Sequence, residues 1–269
     1  MTRNLNGCRV LITGASSGIG RCLAQQLAAA GCRVALAARS EERLHETATS
    51  LGRSASAVLV VPTDITREAD QQNVLDQAVA HFGGLDVLVN NAGVASWAHF
   101  ADSTEAILRE IMEVNFFAPA ELIRKAIPIL VKGDQPAVVN IASMCGRRAM
   151  PAWSEYSASK YALCGLTEAL RGEFARFDID VLLVVPGLTR SDLGRNLLRN
   201  AGRMRIDFDA GMPPERVADA ILDALRRNRT ETVLGRDARW ILWVNRFLPG
   251  LVDALMARRV KKLYAEPVS

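Results

Sequence analysis

The chain has 269 residues, of which 49% are hydrophobic, and this is enough apolar material for the core of one large α/β domain. Its net charge is only +4, and we expect no nucleic-acid partner. Five scattered cysteines without a C-x-x-C pair indicate reduced thiols and argue against a zinc site or a disulfide framework.

The sequence contains no recognisable secretory or membrane-spanning segment. The first ten residues, MTRNLNGCRV, lack the apolar stretch of a signal peptide. The chain also lacks the run of about 18 uncharged apolar residues that a spanning helix needs. The three histidines have no metal-ligand spacing. We therefore expect a cytoplasmic protein without a metal.

Short apolar runs rich in β-branched residues alternate with longer helical patterns along the chain. Seven runs are predicted strands: RVLIT (9–13), RVALAA (33–38), AVLVVP (57–62), DVLVN (86–90), AVVNIA (137–142), DVLLVVP (180–186) and ETVLG (231–235). They are continuously apolar, as strands buried on both faces should be. Helical patterns such as GRCLAQQLAAAG and EERLHETATSLG lie between them and end in glycine. The repeated βαβ order predicts a single α/β domain, with a doubly wound parallel sheet between two layers of helices.

Two segments depart from this alternation. Residues 188–213 are polar, carry five arginines and exceed the usual length of a βα connection, so we expect a lid or substrate-binding loop there. Residues 236–269 extend past the last predicted strand. We therefore divide the chain into a main domain, residues 1–235, and a C-terminal extension.

Three glycines follow the first predicted strand in TGASSGIG, residues 13–20. They stand where the strand gives way to a helical pattern. A helix amino terminus offers unpaired N–H groups and a partial positive charge, which suit a pyrophosphate, and glycines let that group approach the backbone. The spacing is G-x-x-x-G-x-G rather than G-x-G-x-x-G, and a tight turn without a ligand is the alternative interpretation.

Four short motifs occur together: TGASSGIG (13–20), NNAG (90–93), YSASK (156–160) and PG (186–187). In this order and spacing they resemble the short-chain dehydrogenase/reductase family, over roughly residues 7–235. The resemblance implies a Rossmann-type domain, a nicotinamide cofactor and the interconversion of carbonyls and alcohols. Residues 1–235 would then form the dinucleotide-binding catalytic domain.

The resemblance also implies which residues contact the cofactor. Thr189 would offer backbone contacts to the carboxamide, and Ser191 a hydroxyl to the phosphates. The family often has an aliphatic residue and a threonine at these two positions, so this part of the match is less regular. The full implied set is Gly14, Ser16, Ser17, Gly18, Ile19, Gly20, Arg39, Ser40, Asp64, Ile65, Asn90, Ala92, Gly93, Tyr156, Lys160, Pro186, Gly187, Thr189 and Ser191.

The end of the second predicted strand bears on the choice between NAD and NADP. Family members that use NAD have an acidic residue there, which binds the ribose 2′-hydroxyl and repels a 2′-phosphate. This chain has Ala38 and then Arg39, whose guanidinium can clamp a phosphate. Ser40 adds a hydroxyl, and Asp64 matches the aspartate at the adenine edge while also being suited to cap the next helix. We expect NADP(H) to be preferred over NAD(H), with a solvated arginine as the alternative.

The catalytic residues implied by the resemblance are Ser143, Tyr156, Lys160 and Asn115. Tyr156 and Lys160 are four residues apart in a helical pattern and so share one helix face. Tyr156 would donate a proton to the developing alkoxide, Ser143 would orient the carbonyl, and Lys160 would hold the nicotinamide ribose. A neighbouring ammonium lowers the pKa of a tyrosine, so we expect Lys160 to lower that of Tyr156. The backbone of Asn115 would hold a water that links Lys160 to solvent.

Three functions compete on this sequence. The first is an NADP(H)-dependent oxidoreductase for a lipophilic ketone, aldehyde or alcohol, in a homodimer or homotetramer. The second is a 3-oxoacyl-[acyl carrier protein] reductase, whose acidic carrier would meet the loop arginines at 190, 195, 199, 203 and 205. The third is a non-catalytic NADP-sensing or scaffold protein, and the complete set of catalytic residues argues against it.

The C-terminal extension is basic and amphipathic. From Gly235 to Leu263 it carries seven Lys or Arg and two Asp, so the whole positive excess of the chain lies there. Pro249 and Gly250 separate two apolar stripes at helical spacing. The extension either covers the chain's own substrate cleft or a partner subunit, or makes a peripheral membrane contact. The stripes consist of Trp240, Ile241, Trp243, Val244, Phe247 and Leu248, and of Leu251, Val252, Leu255, Met256, Val260 and Leu263.

Overall fold

Seven strands form one entirely parallel sheet. The structure, a computed structural model, describes residues 2–203 and 206–265. The strands are β1 (Arg9–Thr13), β2 (Arg33–Ala38), β3 (Val58–Pro62), β4 (Val87–Asn90), β5 (Ala137–Ile141), β6 (Asp180–Pro186) and β7 (Glu231–Leu234). Their spatial order is β3-β2-β1-β4-β5-β6-β7.

Helices cover both faces of the sheet. They are α1 (Gly18–Ala29), α2 (Glu41–Ser50), α3 (Glu68–Phe82), α4 (Glu105–Met112), α5 (Ala118–Leu130), α6 (Ser154–Glu173), α7 (Pro214–Arg227), α8 (Arg236–Phe247) and α9 (Pro249–Ala265). Successive strand residues point to opposite faces, so Val10 and Ile12 pack with α1 and α7 while Leu11 packs with α3 and α5. These two apolar cores confirm the predicted Rossmann-like α/β fold with three layers.

The strand order reverses at β1, which lies between β2 and β4. Ligands of such sheets bind outside the carboxyl ends of the strands at this switch point. The glycine turn follows Thr13, NNAG begins at Asn90, and Ser143 comes soon after Ile141. Because the strands are parallel, all these segments meet at one edge of the sheet.

The predicted elements differ from the observed ones only at their ends. The strands β3, β4, β5 and β7 are each one residue shorter than predicted. Ala57 is excluded from β3 because it ends a short 3-10 helix that precedes the strand. Asn115 lies in a π-helical turn, Glu113–Phe117, between α4 and α5.

We predict that Gly20→Ala destabilises the fold, although alanine is normally the better helix residue. A Cβ at Gly20 would lie 2.2 Å from the Gly14 carbonyl oxygen and 2.5 Å from Asn91 Nδ2. Such overpacking costs about 1–3 kcal/mol. The measurement is the free energy of unfolding in urea. Gly172→Ala in α6 is the control, since a Cβ there meets nothing within 4 Å; equal stability of the two variants would contradict this prediction.

Candidate active site

Three of the predicted catalytic side chains come together where β5 ends. Ser143 follows β5 in an extended conformation, and its Oγ accepts a hydrogen bond of 3.1 Å from the Cys145 N–H. Tyr156 and Lys160 lie one turn apart on the buried face of α6 and are 7% and 4% exposed. The Ser143 hydroxyl lies close enough to Tyr156 to lower the pKa of its phenol. The arrangement places a hydroxyl pair beside a buried amine.

Lys160 is held by the last residue of β5, the strand that precedes Ser143. Its Nζ donates a hydrogen bond of 3.1 Å to the Ile141 carbonyl oxygen and lies 5.8 Å from the centroid of the Tyr156 ring. Burial disfavours the charged amine and lowers the pKa of Lys160 from 10.5 to about 8. Lys160 can therefore release a proton much closer to neutral pH than a surface lysine can.

The expected lowering of the Tyr156 pKa by Lys160 is wrong in this structure. Burial raises the pKa of Tyr156 above its ordinary value near 10, and Cys145 raises it further, while the hydrogen bond with Ser143 opposes them. The Lys160 amine is held by a backbone carbonyl, and its charge does not offset the burial of the phenol. Tyr156 consequently remains a protonated donor at neutral pH.

Asn115 holds two active-site segments together through its side chain. Its Oδ1 accepts a bond of 2.9 Å from the Val94 N–H, and its Nδ2 donates to the Val94 carbonyl at 2.9 Å and to Ser159 Oγ at 3.0 Å. Asn115 is 1% exposed, so these bonds satisfy a buried amide. The residue braces the NNAG segment against α6, and a π-helical turn of this kind is frequent at functional sites.

The glycine turn packs tightly against the NNAG segment. Gly14 has a positive φ of 66°, and a Cβ there would lie 2.9 Å from Ala92 Cα. Asn91 Nδ2 donates to the carbonyls of Thr13 at 2.9 Å and of Gly14 at 3.1 Å. Of the three glycines in this turn, Gly14 and Gly20 leave the least room for a Cβ. They are therefore required by internal packing as well as by any ligand.

The amino terminus of α1 fits an anionic group. Ser17 is its N-cap residue, but the Ser17 side chain makes no capping bond, and the first turn contains no acidic residue. Ser16 and Ile19 lie half-buried beside it. The first N–H groups of α1 and its helix dipole are thus available to a pyrophosphate at the edge of the sheet.

The residues after β2 and β3 form the expected adenosine end. Arg39 is exposed and makes no ion pair within residues 2–203 and 206–265, and Ser40 caps α2 by accepting from the Arg43 N–H. Burial alone would raise the pKa of Asp64, but hydrogen bonds from Thr66 and the charge of Arg39 lower it. Asp64 was expected to cap α3. It closes a turn at Thr66 instead, because α3 begins later, at Glu68.

Three other residues predicted to contact the cofactor, Asn90, Gly93 and Ile65, take part in internal packing around the site. The Asn90 amide donates to Asn140 Oδ1 at 2.8 Å, inside the sheet, so its side chain holds β4 against β5. A Cβ at Gly93 would lie 3.1 Å from Asn115 Oδ1. Ile65 is buried beneath the turn that Asp64 closes.

The segment after β6 crosses from the sheet edge to the glycine turn. The Gly187 N–H bonds to the Leu234 carbonyl at 2.9 Å, which continues the pairing of Pro186 with β7. Thr189 Oγ1 donates to the Gly187 carbonyl at 3.0 Å. Ser191 packs against Gly18, where a Cβ would lie 3.2 Å from its own Cβ. Pro186, Gly187, Thr189 and Ser191 thus all lie at the predicted cleft.

An ion pair that no sequence motif indicated spans this cleft. Arg43 of α2 bonds to Asp192, which lies in the 188–213 loop directly after Ser191. The pair ties the loop to the adenosine end of the site. No local sequence signal could have found it, since the two residues are 149 positions apart.

Aromatic side chains pack beside the Tyr156 ring. The Trp153 ring lies 5.4 Å from the Tyr156 ring and 5.1 Å from that of Trp97, measured between centroids. Trp97 exchanges backbone hydrogen bonds of 2.7 Å with Arg199 and Ala201 of the 188–213 loop. The loop therefore packs onto an apolar cluster around Tyr156. Phe208, Met150, Leu193 and Leu197 also pack in this cluster, and sequence analysis did not identify them.

Cys145 belongs to the same buried cluster as Tyr156. Its thiol is inert as a nucleophile. Burial raises its pKa to about 11, so the thiol stays neutral at physiological pH. All five cysteines lie among the described residues and are unpaired. In that same part of the chain, no group of His, Cys, Asp and Glu is arranged to hold a metal ion. None of its helices has the length and apolarity to cross a bilayer.

Comparison with known proteins identifies the family. A family model described as short chain dehydrogenase matches residues 9–202. The chain belongs to the short-chain dehydrogenase/reductase family. It is an oxidoreductase of this family, and the resemblance inferred from the motifs is confirmed.

Relatives and solved structures agree over nearly the whole chain. The 11-beta-hydroxysteroid dehydrogenase-like 2 protein of Arabidopsis thaliana is 35% identical over 94% of this chain and 82% of its own. A Burkholderia phymatum family member in complex with NAD has a TM-score of 0.83 and 26% identity, covering 93% of this chain and 96% of that one. A Burkholderia cenocepacia J2315 short chain dehydrogenase in complex with NADP gives 0.80 and 26%, covering 94% and 99%. Similar structures thus bind either cofactor.

The buried amine of Lys160 predicts a pH dependence of stability. Its pKa is lower in the folded protein than in the unfolded chain, so between about pH 8 and 10.5 the unfolded chain binds more protons. Stability from this group therefore rises with pH across that window. We expect Lys160→Met to lose this rise, measured by urea unfolding at several pH values across that same window. The exposed Lys132→Met is the control, and parallel curves for wild type and Lys160→Met would refute the assignment.

Proposed function

We propose that this family member is an NADP(H)-dependent oxidoreductase that interconverts a lipophilic ketone or aldehyde and its alcohol. The observation that carries the proposal is Tyr156, which burial keeps protonated, beside Ser143 in an apolar cluster with Trp153, which in turn packs against Trp97. A pair of hydroxyls in apolar surroundings suits a substrate with one carbonyl and little other polarity. The name of the plant hydroxysteroid dehydrogenase-like relative agrees with such a substrate.

Each catalytic residue then has a definite task. When bound, NADPH supplies the hydride. Ser143 and Tyr156 hold the substrate oxygen, and Tyr156 transfers its phenolic proton to that oxygen as negative charge develops. Lys160 holds the nicotinamide ribose, and its lowered pKa suits it to return a proton to Tyr156. Asn115 keeps the NNAG segment and α6 in register, and the proton path through its backbone remains part of the proposal.

Removal of the Tyr156 hydroxyl tests the mechanism. We expect Tyr156→Phe to lose roughly 10²–10⁴-fold in turnover while it keeps NADPH binding, because only the acid is removed. Turnover is measured over a panel of ketones and aldehydes, and binding by NADPH fluorescence. Tyr161→Phe is the matched control, because Tyr161 lies five residues further along α6 and is 44% exposed. If Tyr156→Phe keeps activity within a few-fold of wild type, Tyr156 is not the acid.

The preference for NADP(H) rests on the end of β2. Ala38 supplies no carboxylate to bind a ribose 2′-hydroxyl, and Arg39 is exposed beside the cleft without an ion pair in the described ranges. Ser40 presents its hydroxyl next to it. A 2′-phosphate would find there the exposed guanidinium of Arg39 and no carboxylate at the end of β2 itself.

We expect Arg39→Asp to reverse the cofactor preference. Each lost charge-assisted hydrogen bond to the phosphate costs about 1.5–3 kcal/mol, and the new carboxylate repels it. The measurement is the dissociation constant of NADPH and of NADH. Arg53→Asp makes the same charge change between α2 and β3, at the opposite edge of the sheet, and should alter neither. Equal affinity of the wild-type protein for both cofactors would rule out the preference.

The alternative of an acyl-carrier reductase is weaker in this structure. Its proposed docking arginines are partly engaged within the chain: Arg195 pairs with Asp209 at 3.6 Å, and the Arg203 guanidinium lies 4.1 Å from the Tyr264 ring centroid. Arg205 lies outside the described residues. An acyl-carrier substrate in the activity panel separates the two enzymes. Absence of turnover with every carbonyl, together with NADPH binding, would favour the sensor function.

The extension supports a peripheral membrane location for this enzyme. After β7, helices α8 and α9 form a hairpin, and six large apolar side chains on it are exposed by 50% or more: Trp240, Trp243, Phe247, Leu248, Leu251 and Leu255. Exposed apolar patches of this kind mark interaction sites. Arg258, Arg259 and Lys262 are exposed nearby and make no ion pair within residues 2–203 and 206–265. We therefore propose that the hairpin lies on an anionic lipid surface of the cytoplasm.

Vesicle flotation of the full chain tests this location. We expect the wild type to float with anionic vesicles at low salt and Trp240→Ser/Trp243→Ser to float much less, because the tryptophans are the largest of the exposed apolar side chains. Phe100→Ser is the control, since Phe100 is also 66% exposed but lies outside the hairpin. Equal loss in both variants, or no flotation of the wild type, would disprove the contact. The homodimer or homotetramer stays a prediction that the same samples test by sedimentation.

A further inference from the structure

A large groove lies between α9 and the first half of α6, and Ser143, Tyr156 and Lys160 do not line it. It has a volume of about 790 Å³, within the range of sites that bind drug-sized ligands. Ala149, Met150 and Pro151, which belong to the connection between β5 and α6, line the groove. Met150 lines the groove and also packs against the cluster that contains Tyr156. The groove therefore shares one wall with the active site.

The chain itself holds α9 in place over this groove. Arg148 Nη2 lies 2.5 Å from Asp253 Oδ1 at one end of the helix. At the other end the Tyr264 ring lies 5.1 Å from the His99 ring and 4.1 Å from the Arg203 guanidinium carbon. Because α9 is fixed at both ends, the groove is part of the fold of one chain.

The lining of the groove combines apolar walls with excess positive charge. Met150, Pro151, Ala158, Met256 and Val260 supply the apolar surface. Two cations, Arg148 and Lys261, face one carboxylate, Asp253. Arg148 is engaged by Asp253, whereas Lys261 is exposed and makes no ion pair in the part of the chain that the structure describes. One full positive charge is thus left for a ligand.

We propose that this groove binds an amphipathic anion, an alkyl chain that ends in a carboxylate or a phosphate. The chain lies along Met256 and Val260, where it replaces water against apolar surface. The anionic end pairs with the exposed Lys261, whose charge it neutralises. Lys261 is not among the residues assigned to the cofactor, so this site goes beyond the proposed oxidoreductase function and does not depend on it.

A fluorescent long-chain fatty acid, used with the full-length protein below its micelle concentration, is the probe. We expect saturable binding that Ala257→Trp abolishes, since Ala257 lines the groove and an indole would fill it. Ala254→Trp is the matched control, because Ala254 is exposed on α9 and does not line the groove. Lys261→Glu should weaken binding about tenfold or more, whereas Lys262→Glu, the neighbouring lysine outside the groove, should leave it nearly unchanged.

Competition identifies the anionic group and exposes a wrong assignment. Displacement by an unlabelled fatty acid or by a lysophosphatidic acid shows whether carboxylate or phosphate is preferred, and the methyl ester of the fatty acid should compete poorly. Lack of saturable binding, or equal effects of the tryptophan pair, overturns the proposal. So does a wild-type dimer that only Ala257→Trp dissociates, since the groove would then be an interface between copies. NADPH binding measured on the same samples reports separately on the oxidoreductase site.

Discussion

The direction of the seven strands determines where chemistry can occur in this protein. Helices cover both faces of the sheet, so the backbone of the five inner strands becomes accessible only at the strand ends. Because every strand is parallel to its neighbours, all carboxyl ends meet at one edge. The glycine turn after Thr13, the segment after Asn90 and Ser143 after Ile141 are brought together by this constraint alone, although they are far apart in sequence. The reversal of strand order at β1 opens the crevice between them.

Burial then adjusts the chemistry at that edge. It disfavours charge on any group, so it raises the pKa of Tyr156 and lowers that of Lys160. Both shifts favour the neutral forms, a phenol that keeps its proton and an amine that can release one. The sequence pattern predicts the pair but not this balance, because the spacing of two residues on a helix carries no information about how deeply the helix is buried. The Lys160 amine donates its hydrogen bond to the Ile141 carbonyl and not to the Tyr156 hydroxyl. This bond is likewise visible only in the structure.

The fold and most of the site could be predicted because their signals are local. Apolar runs of five to seven residues identify the strands to within one residue, and the turn, NNAG and YSASK motifs identify the loops at the sheet edge. What sequence analysis missed depends on contacts between distant segments. The ion pair of Arg43 with Asp192, the packing of the 188–213 loop on Trp97 and the groove beneath α9 each join segments without any shared periodicity. The contact that excludes a side chain at Gly20 is of the same kind, since it involves the Gly14 carbonyl and the Asn91 amide of a distant segment.

The C-terminal extension shows how one amphipathic helix can serve two surfaces. Sequence analysis treated contact with the chain itself and contact with a membrane as alternatives, because it counted Leu251, Val252, Leu255 and Met256 as one stripe. Adjacent residues on a helix point about 100° apart, so the stripe divides. Val252 is buried and Met256 borders the groove, whereas Leu251 and Leu255 are 50% and 55% exposed. A lipid surface on the outer face and an amphipathic ligand beneath the inner face are therefore compatible. They would place the groove beside the membrane, so that a ligand passing from lipid to protein would have to move only around a single helix.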